Sequence, residues 1–152
     1  MNCQISKTNL ISKLQNFTVQ IQENKKIVAF FLFGSYVTGK ATSMSDVDFA
    51  FLLDKSIKRE SYLPEKLRIM GELSISLGVD KLDVVILNEA PPGIGYRVIK
   101  EGHLLHLREE KKSQLIKYKV RTLDQYFDYK PVQRLMSEGL KKRIKEGEFG
   151  GR

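Results

Sequence analysis

Asp46 and Asp48 stand two residues apart in Ser45-Asp46-Val47-Asp48-Phe49 and open a short apolar run that ends at Leu53. On a strand, residues two apart project from the same face, roughly 6–7 Å apart, so the pair presents two carboxylates side by side while Val47 and Phe49 turn into the core. Unpaired carboxylates placed like this repel each other and lose hydration. A hard divalent cation with a preference for oxygen, one or two Mg²⁺ ions, relieves both costs. Upstream, Gly34-Ser35 closes the apolar run Ile27 to Phe33. Where a strand gives way to a turn or helix start, backbone N–H groups become available to a phosphate, glycine permits close approach, and the Ser35 hydroxyl adds a donor. Amides and hydroxyl on phosphate oxygens, with carboxylates on metals, suit a metal-bound triphosphate. A third carboxylate is expected in Leu82-Asp83-Val84, where apolar neighbours make an unpaired charge expensive. If that strand pairs beside the Asp46 strand, three aspartates converge.

The elements needed to position these residues are legible in the periodicity. Leu10, Leu14, Phe17 and Ile21 recur at helical spacing and predict a helix over about 8–24, with Thr8 as its N-cap. Ile27 to Phe33 lacks polar alternation and is expected to be a strand buried on both faces. Residues 37–45 are small and polar, a loop or short irregular helix, and 46–53 is the second strand. Leu63, Leu67, Met70, Leu73 and Leu77 mark a helix over 60–77 that Gly78 ends. A third strand follows at 82–87, then a helix over 93–100 started by the preceding proline, and a turn at Gly102 before 103–107. Ile116, Val120, Leu123 and Phe127 form one stripe of a helix over 108–127, and a further helix is expected at 132–145 after Pro131. The fold class is α/β (α+β), a small mixed sheet flanked by helices. Residues 1–130 form the main domain, and 131–152 a basic C-terminal helix and tail, part of the same unit or partner-binding.

Composition narrows the function classes. With 152 residues, 41% hydrophobic and 29% charged, the chain supports one core and is neither disordered nor repetitive. Its longest apolar run, Ile27 to Phe33, is far short of the ~20 residues of a membrane span. The first thirty residues lack a charged segment leading into an apolar one, and the lone Cys3 offers no internal disulfide, so a cytoplasmic protein is expected. The net charge of +8 is uneven: from Arg108 onward there are 13 basic and 7 acidic residues. Such a basic end serves solubility or a protein partner, and direct nucleic-acid binding is not expected. His103 and His106 lie three apart, on opposite sides of a strand, and are taken as structural. Tyr118, Tyr126 and Tyr129, interleaved with Lys117, Lys119, Arg121 and Lys130, are expected to make core or partner contacts rather than to stack bases. Asp54 and Asp80 sit in turn-like contexts and are left out of the site.

The order hydrophobic residue, Gly-Ser, spacer, Asp-x-Asp, later hydrophobic-flanked carboxylate, present as Phe33, Gly34, Ser35, Asp46, Asp48 and Asp83, resembles the nucleotidyltransferase superfamily that includes DNA polymerase beta. The Ser45-Asp46-Val47-Asp48 form and the short chain resemble in particular the minimal nucleotidyltransferase (MNT, MntA-like) antitoxins, which are paired with HEPN-domain ribonuclease toxins. The pattern spans about Phe30 to His106. The resemblance implies that ATP binds with two Mg²⁺ and that its AMP moves onto a tyrosine hydroxyl of the toxin. It implies Asp46, Asp48 and Asp83 as the metal and catalytic set, Asp83 also taking the acceptor's proton. Gly34, Ser35, Ser45 and Lys40 would hold the phosphates. One departure is plain: where these antitoxins often carry Arg or Lys ahead of the second glycine of the loop, this chain has Val37-Thr38-Gly39, and Lys40 stands in for that charge. Two other functions compete with this one. One is a non-catalytic subunit that silences a toxin by contact through the basic C-terminal segment. The other is nucleotidyl transfer to a small molecule such as an aminoglycoside, against which the lack of an evident acceptor-binding domain weighs.

Overall fold

The computed structural model describes residues 7–145, which form five α-helices and one four-stranded sheet. In chain order these are α1 (Lys7–Ile21), β1 (Ile27–Phe33), α2 (Ser35–Thr38), β2 (Val47–Leu53), α3 (Tyr62–Leu77), β3 (Leu82–Ile86), α4 (Pro92–Glu101), β4 (His103–Leu107) and α5 (Lys112–Lys145). The sheet order is β3-β2-β1-β4, with β1 antiparallel to both neighbours and β3 parallel to β2. The expected mixed sheet flanked by helices is therefore what forms. Every residue of β1 is buried because helices cover both faces of the sheet. Cys3 and the Gly-rich C-terminal end lie outside the described residues. No helix among the described residues is long and apolar enough to cross a membrane.

Alternation along the strands builds two cores. On one face Phe30, Leu32, Phe49, Phe51 and Val84 meet Leu10, Leu14 and Phe17 of α1 and Ile69, Leu73 and Leu77 of α3. Phe30 stacks on Phe51 at 5.0 Å and takes the edge of Phe17 at 5.8 Å. On the other face Phe31, Phe33, Ala50 and Leu52 meet Val98 of α4 and Leu115 of α5. Asp48, Ala50 and Leu52 alternate onto this second face. Helix α4 can lie close against α5 because residue 95 is glycine: a Cβ there would stand 2.6 Å from the Tyr118 hydroxyl and 2.8 Å from Thr122 Cγ2.

Several sequence expectations shift. Thr8 lies inside α1 rather than capping it. In α3 the buried row is Glu65, Ile69, Leu73 and Leu77, while Leu63 and Leu67 are 61% and 59% exposed. Glu65, though polar, takes its place in the buried row because Lys26 and Arg68 pair with it, each at 2.7 Å. Burial alone would raise the Glu65 carboxyl, but these two cations outweigh it and hold it below its ordinary range. In α5 the sheet-facing residues are Leu115 and Thr122, whereas Ile116, Val120 and Phe127 are more than half exposed. The two expected C-terminal helices are one, running through Pro131; proline removes one i to i−4 bond and kinks a helix at a cost of ~3 kcal/mol without having to end it.

Asp54, set aside from the site, is a structural fastener. Its Oδ1 accepts from the Ser56 backbone N–H at 2.9 Å, and its Oδ2 meets Lys111 Nζ at 3.1 Å, tying the end of β2 to the approach to α5. The Ser56 amide above all, with Lys111, overcomes burial and pulls the Asp54 carboxyl down to about 2. A folded-state value below the unfolded one adds stability above the unfolded pKa and loses it as pH falls toward 2. Asp54→Asn should therefore lower unfolding stability by about 2 kcal/mol at pH 7. Urea titrations from pH 7 down to pH 2 should show the gap to the wild type closing.

Candidate active site

The candidate site lies at the end of the sheet where β1 stops and β2 and β3 start. Phe33, the last residue of β1, pairs with Asp48, and Asp48 pairs with Asp83 across the parallel β2–β3 ladder. Neighbouring strands lie about 4.8 Å apart, so Asp48 and Asp83 stand side by side on the face that α4 covers. Asp46 precedes β2 by one residue and is exposed. The three aspartates thus share one end of one face, on adjacent strands. Asp83 is exposed rather than hemmed in by apolar side chains, on the edge strand β3. Its Oδ1 accepts from the Val84 backbone N–H at 2.9 Å.

Asp48 carries the electrostatic signature of the cluster. Partial burial, then the Asp83 charge, then the Asp46 charge push its carboxyl above the usual range, and Arg97 opposes them. This is what a gathering of carboxylates does to its innermost member. No three Asp, Glu, His or Cys side chains among the described residues are already closed around a single point. Mg²⁺ does not demand that, since it keeps several waters and is bound through one or two carboxylates plus substrate phosphates. The all-oxygen donor set and its mutual repulsion fit such an ion.

Gly34 brings backbone against these carboxylates. Its φ of +79° and ψ of −153° belong to a region that only glycine enters freely, and a Cβ at this position would collide with Asp48 Oδ2 and lie 3.1 Å from Asp48 Cγ. The chain then turns into α2, with the Val37 and Thr38 amides bonded back to the Gly34 carbonyl at 3.1 Å. Earlier amides of a helix have no partner within it. Ser35 is half-buried at the start of this turn. Lys40 is exposed just after the left-handed Gly39 and donates its backbone N–H to the Ser35 carbonyl at 3.1 Å. Ser45 is spoken for locally: its Oγ accepts from the Thr42 N–H at 2.9 Å and shapes the loop that delivers Asp46.

The structure brings Gly34, Ser35, Asp46, Asp48 and Asp83 to one end of the sheet, and it adds Arg97, which sequence spacing did not single out. Arg97 is exposed on α4, beside Val98, which packs under the helix against the core of the Asp48 face. Helical spacing marks Val98 as inward but does not say over which strand α4 crosses. His103 is exposed, and His106 lies 6.2 Å from the Phe30 ring. Burial, helped by Arg108, lowers the His106 imidazole, which favours its neutral form.

The profile of the polymerase beta nucleotidyltransferase family matches residues 15–111. The chain is 30% identical over 116 residues, 72% of its length and 75% of the relative's, to the protein adenylyltransferase MntA of Aphanizomenon flos-aquae (strain 2012/KM1/D3). Among solved structures it superposes with a TM-score of 0.62 and 19% identity on a chain of a toxin–antitoxin with AMP-PNP, covering 90% of this chain and 99% of that one. It superposes with a TM-score of 0.61 and 17% identity on a chain from the complex of a tri-AMPylated Shewanella oneidensis HEPN toxin with its MNT antitoxin, covering 86% and 98%.

Proposed function

Since the chain belongs to the polymerase beta family of nucleotidyltransferases, we propose that it moves AMP from ATP onto a tyrosine hydroxyl of a partner HEPN-domain toxin and so acts as its antitoxin. The observation that carries this reading is the register Phe33–Asp48–Asp83, which sets two carboxylates side by side with Gly34 backbone against one of them. The identity to a protein adenylyltransferase and the fold shared with antitoxin chains in toxin complexes support protein as the acceptor class. With ATP as substrate the reaction belongs in the cytoplasm.

Asp46, Asp48 and Asp83 would hold Mg²⁺, which when bound polarises the phosphate oxygens and offsets the charge that builds on the leaving group. The Gly34–Ser35 turn and Lys40 bind the β- and γ-phosphates, and Ser45 sets the loop behind them. Arg97 supplies the cation that the loop lacks beside Gly39. The acceptor oxygen attacks the α-phosphorus, the bond from that phosphorus to the β-phosphate oxygen breaks, and pyrophosphate departs. Asp83, with one oxygen held by the Val84 amide, takes the hydroxyl proton on the other.

Mass spectrometry of the adjacent gene's product, co-expressed with this chain, tests the reading. AMP increments with the wild type and none with Asp46→Ala/Asp48→Ala are expected. An unmodified but bound and silenced partner would instead assign the chain the non-catalytic role. Arg97→Ala should raise the KM for MgATP about tenfold, the weight of one charge-assisted phosphate contact, with partial rescue by Arg97→Lys in steady-state assays.

A further inference from the structure

A pocket of about 510 Å³ opens at the other end of the sheet, between the last residues of β2, the turn after β3 and one side of α5. Leu52, which lines it, lies four residues beyond Asp48 on β2, roughly 13 Å along the strand. Helix α4 marks the same separation: Pro92, its first residue, lines the pocket, whereas Arg97 acts on Asp48. Hydrogen bonds between elements fix the walls. Asn88 donates to the Leu53 carbonyl at 2.9 Å and accepts from the Leu53 N–H at 2.8 Å, pinning the turn after β3 to the end of β2. Gln114 of α5 donates to the same carbonyl at 2.9 Å and accepts from the Lys55 N–H at 3.3 Å, which holds the Lys55 backbone beside α5.

The lining brings three cations, Lys55, Lys117 and Arg121, against one carboxylate, Glu89. None of the three cationic side chains forms an ion pair or hydrogen bond among the described residues, and Asp124, beside Lys117 and Arg121 but outside this pocket, pairs with neither. Unneutralised cations sharing one concavity favour an anion, and Lys with Arg suits a phosphate. Buried Leu52 and Leu87, with Tyr62 and Tyr118, add apolar and aromatic surface that a flat ring can cover. The lone Glu89 is an acceptor for sugar hydroxyls, the part an acidic residue takes toward a ribose. We propose that this pocket is a ligand site separate from the aspartates and that it takes a nucleoside monophosphate, the phosphate on Lys55, Lys117 and Arg121, the ribose on Glu89 and the base on the tyrosine and leucine surface. The volume lies within the roughly 300–1,000 Å³ of small-molecule sites, which suits one nucleotide and not a run of them. The proposal needs neither a metal nor an acceptor protein, so it stands apart from the adenylylation reading.

The test titrates AMP into the full chain without divalent cation, by calorimetry and by amide NMR. Saturable binding is expected, with shifts concentrated at residues 52–55, 87–90 and 114–125. Lys117→Glu/Arg121→Glu and, from a different element, Lys55→Glu should each weaken AMP about tenfold or more. All three side chains are exposed, so these variants should melt like the wild type by circular dichroism. Asp46→Ala/Asp48→Ala should bind AMP as the wild type does, and adenosine or inorganic phosphate should each bind about tenfold more weakly than AMP. A wild type that shows no saturable AMP binding overturns the proposal. So does AMP binding that the aspartate variant loses and the cation variants keep, which places the nucleotide at the aspartates instead. Inorganic phosphate that binds as tightly as AMP would reduce the pocket to an anion patch and overturn it too, as would a single-stranded RNA that binds more tightly than AMP through the same three cations.

Discussion

Asp48→Asn is expected to lower AMP transfer about a hundred- to a thousandfold, the weight of metal-borne charge stabilisation of several kcal/mol, and at the same time to make the metal-free protein more stable. The two effects have one cause. Asp48 sits between Phe33 and Asp83 in the sheet, and burial together with the Asp83 and Asp46 charges raises its carboxyl above the unfolded value. A raised folded-state pKa means that stability is fully present below the unfolded pKa and is lost as pH rises through the folded one. At neutral pH the ionised Asp48 therefore weighs against folding, and an isosteric amide removes that burden. Thermal melts at pH 7 without divalent cation should place Asp48→Asn above the wild type. Adding MgATP should raise the wild-type melting temperature and leave the variant's nearly fixed, because ligand that binds only the folded state stabilises in proportion to its affinity. A variant that loses activity but melts below the wild type would show that Asp48 holds the fold together instead of holding charge against it.

The second large effect is expected at Gly34. Gly34→Ala introduces a Cβ where Asp48 Oδ2 lies and imposes an L side chain at φ +79° and ψ −153°. The backbone strain amounts to about 1–3 kcal/mol. The collision is with the mobile end of Asp48, which swings aside easily, so the fold survives while the carboxylate leaves its position. Displacing a reacting or ligating group by about 1 Å costs roughly a hundredfold in rate. Transfer should fall by that order, with Mg²⁺ dependence shifted to higher concentration, and the variant should remain folded by circular dichroism. If Gly34→Ala loses stability but keeps its kcat and Mg²⁺ requirement, the close approach of Gly34 to Asp48 has no part in catalysis.

Much of this site was legible before any coordinates because its parts are local. A buried strand that ends in Gly-Ser, and a strand that opens with Asp-x-Asp, are fixed by side-chain period and by the conformational freedom of glycine, each within a few residues. Those constraints place Gly34, Ser35, Asp46 and Asp48 with no knowledge of what packs where. They also announce the mixed sheet, since three short apolar runs separated by helical periods have few ways to bury themselves.

What the tertiary structure alone decided concerns distance in the chain. Nothing near Asp83 states that β3 lies parallel beside β2 with Asp83 level with Asp48; strand order is settled by which faces the crossing helices bury. Arg97 could not be read because its helix has the same spacing whichever strand it crosses. The apolar stripe of α5 was legible as a stripe but not as a surface: Ile116, Val120 and Phe127 have core chemistry, and only the packing of Leu115 and Thr122 against the domain turns them outward. The sequence by itself determined the local chemistry, the Gly-Ser turn and the paired aspartates, because hydrogen bonding and periodicity act over a few residues. Only the tertiary structure decided that Asp83 stands level with Asp48 and which face of α5 is left outward, because those depend on long-range packing that sums many weak contacts across the sheet.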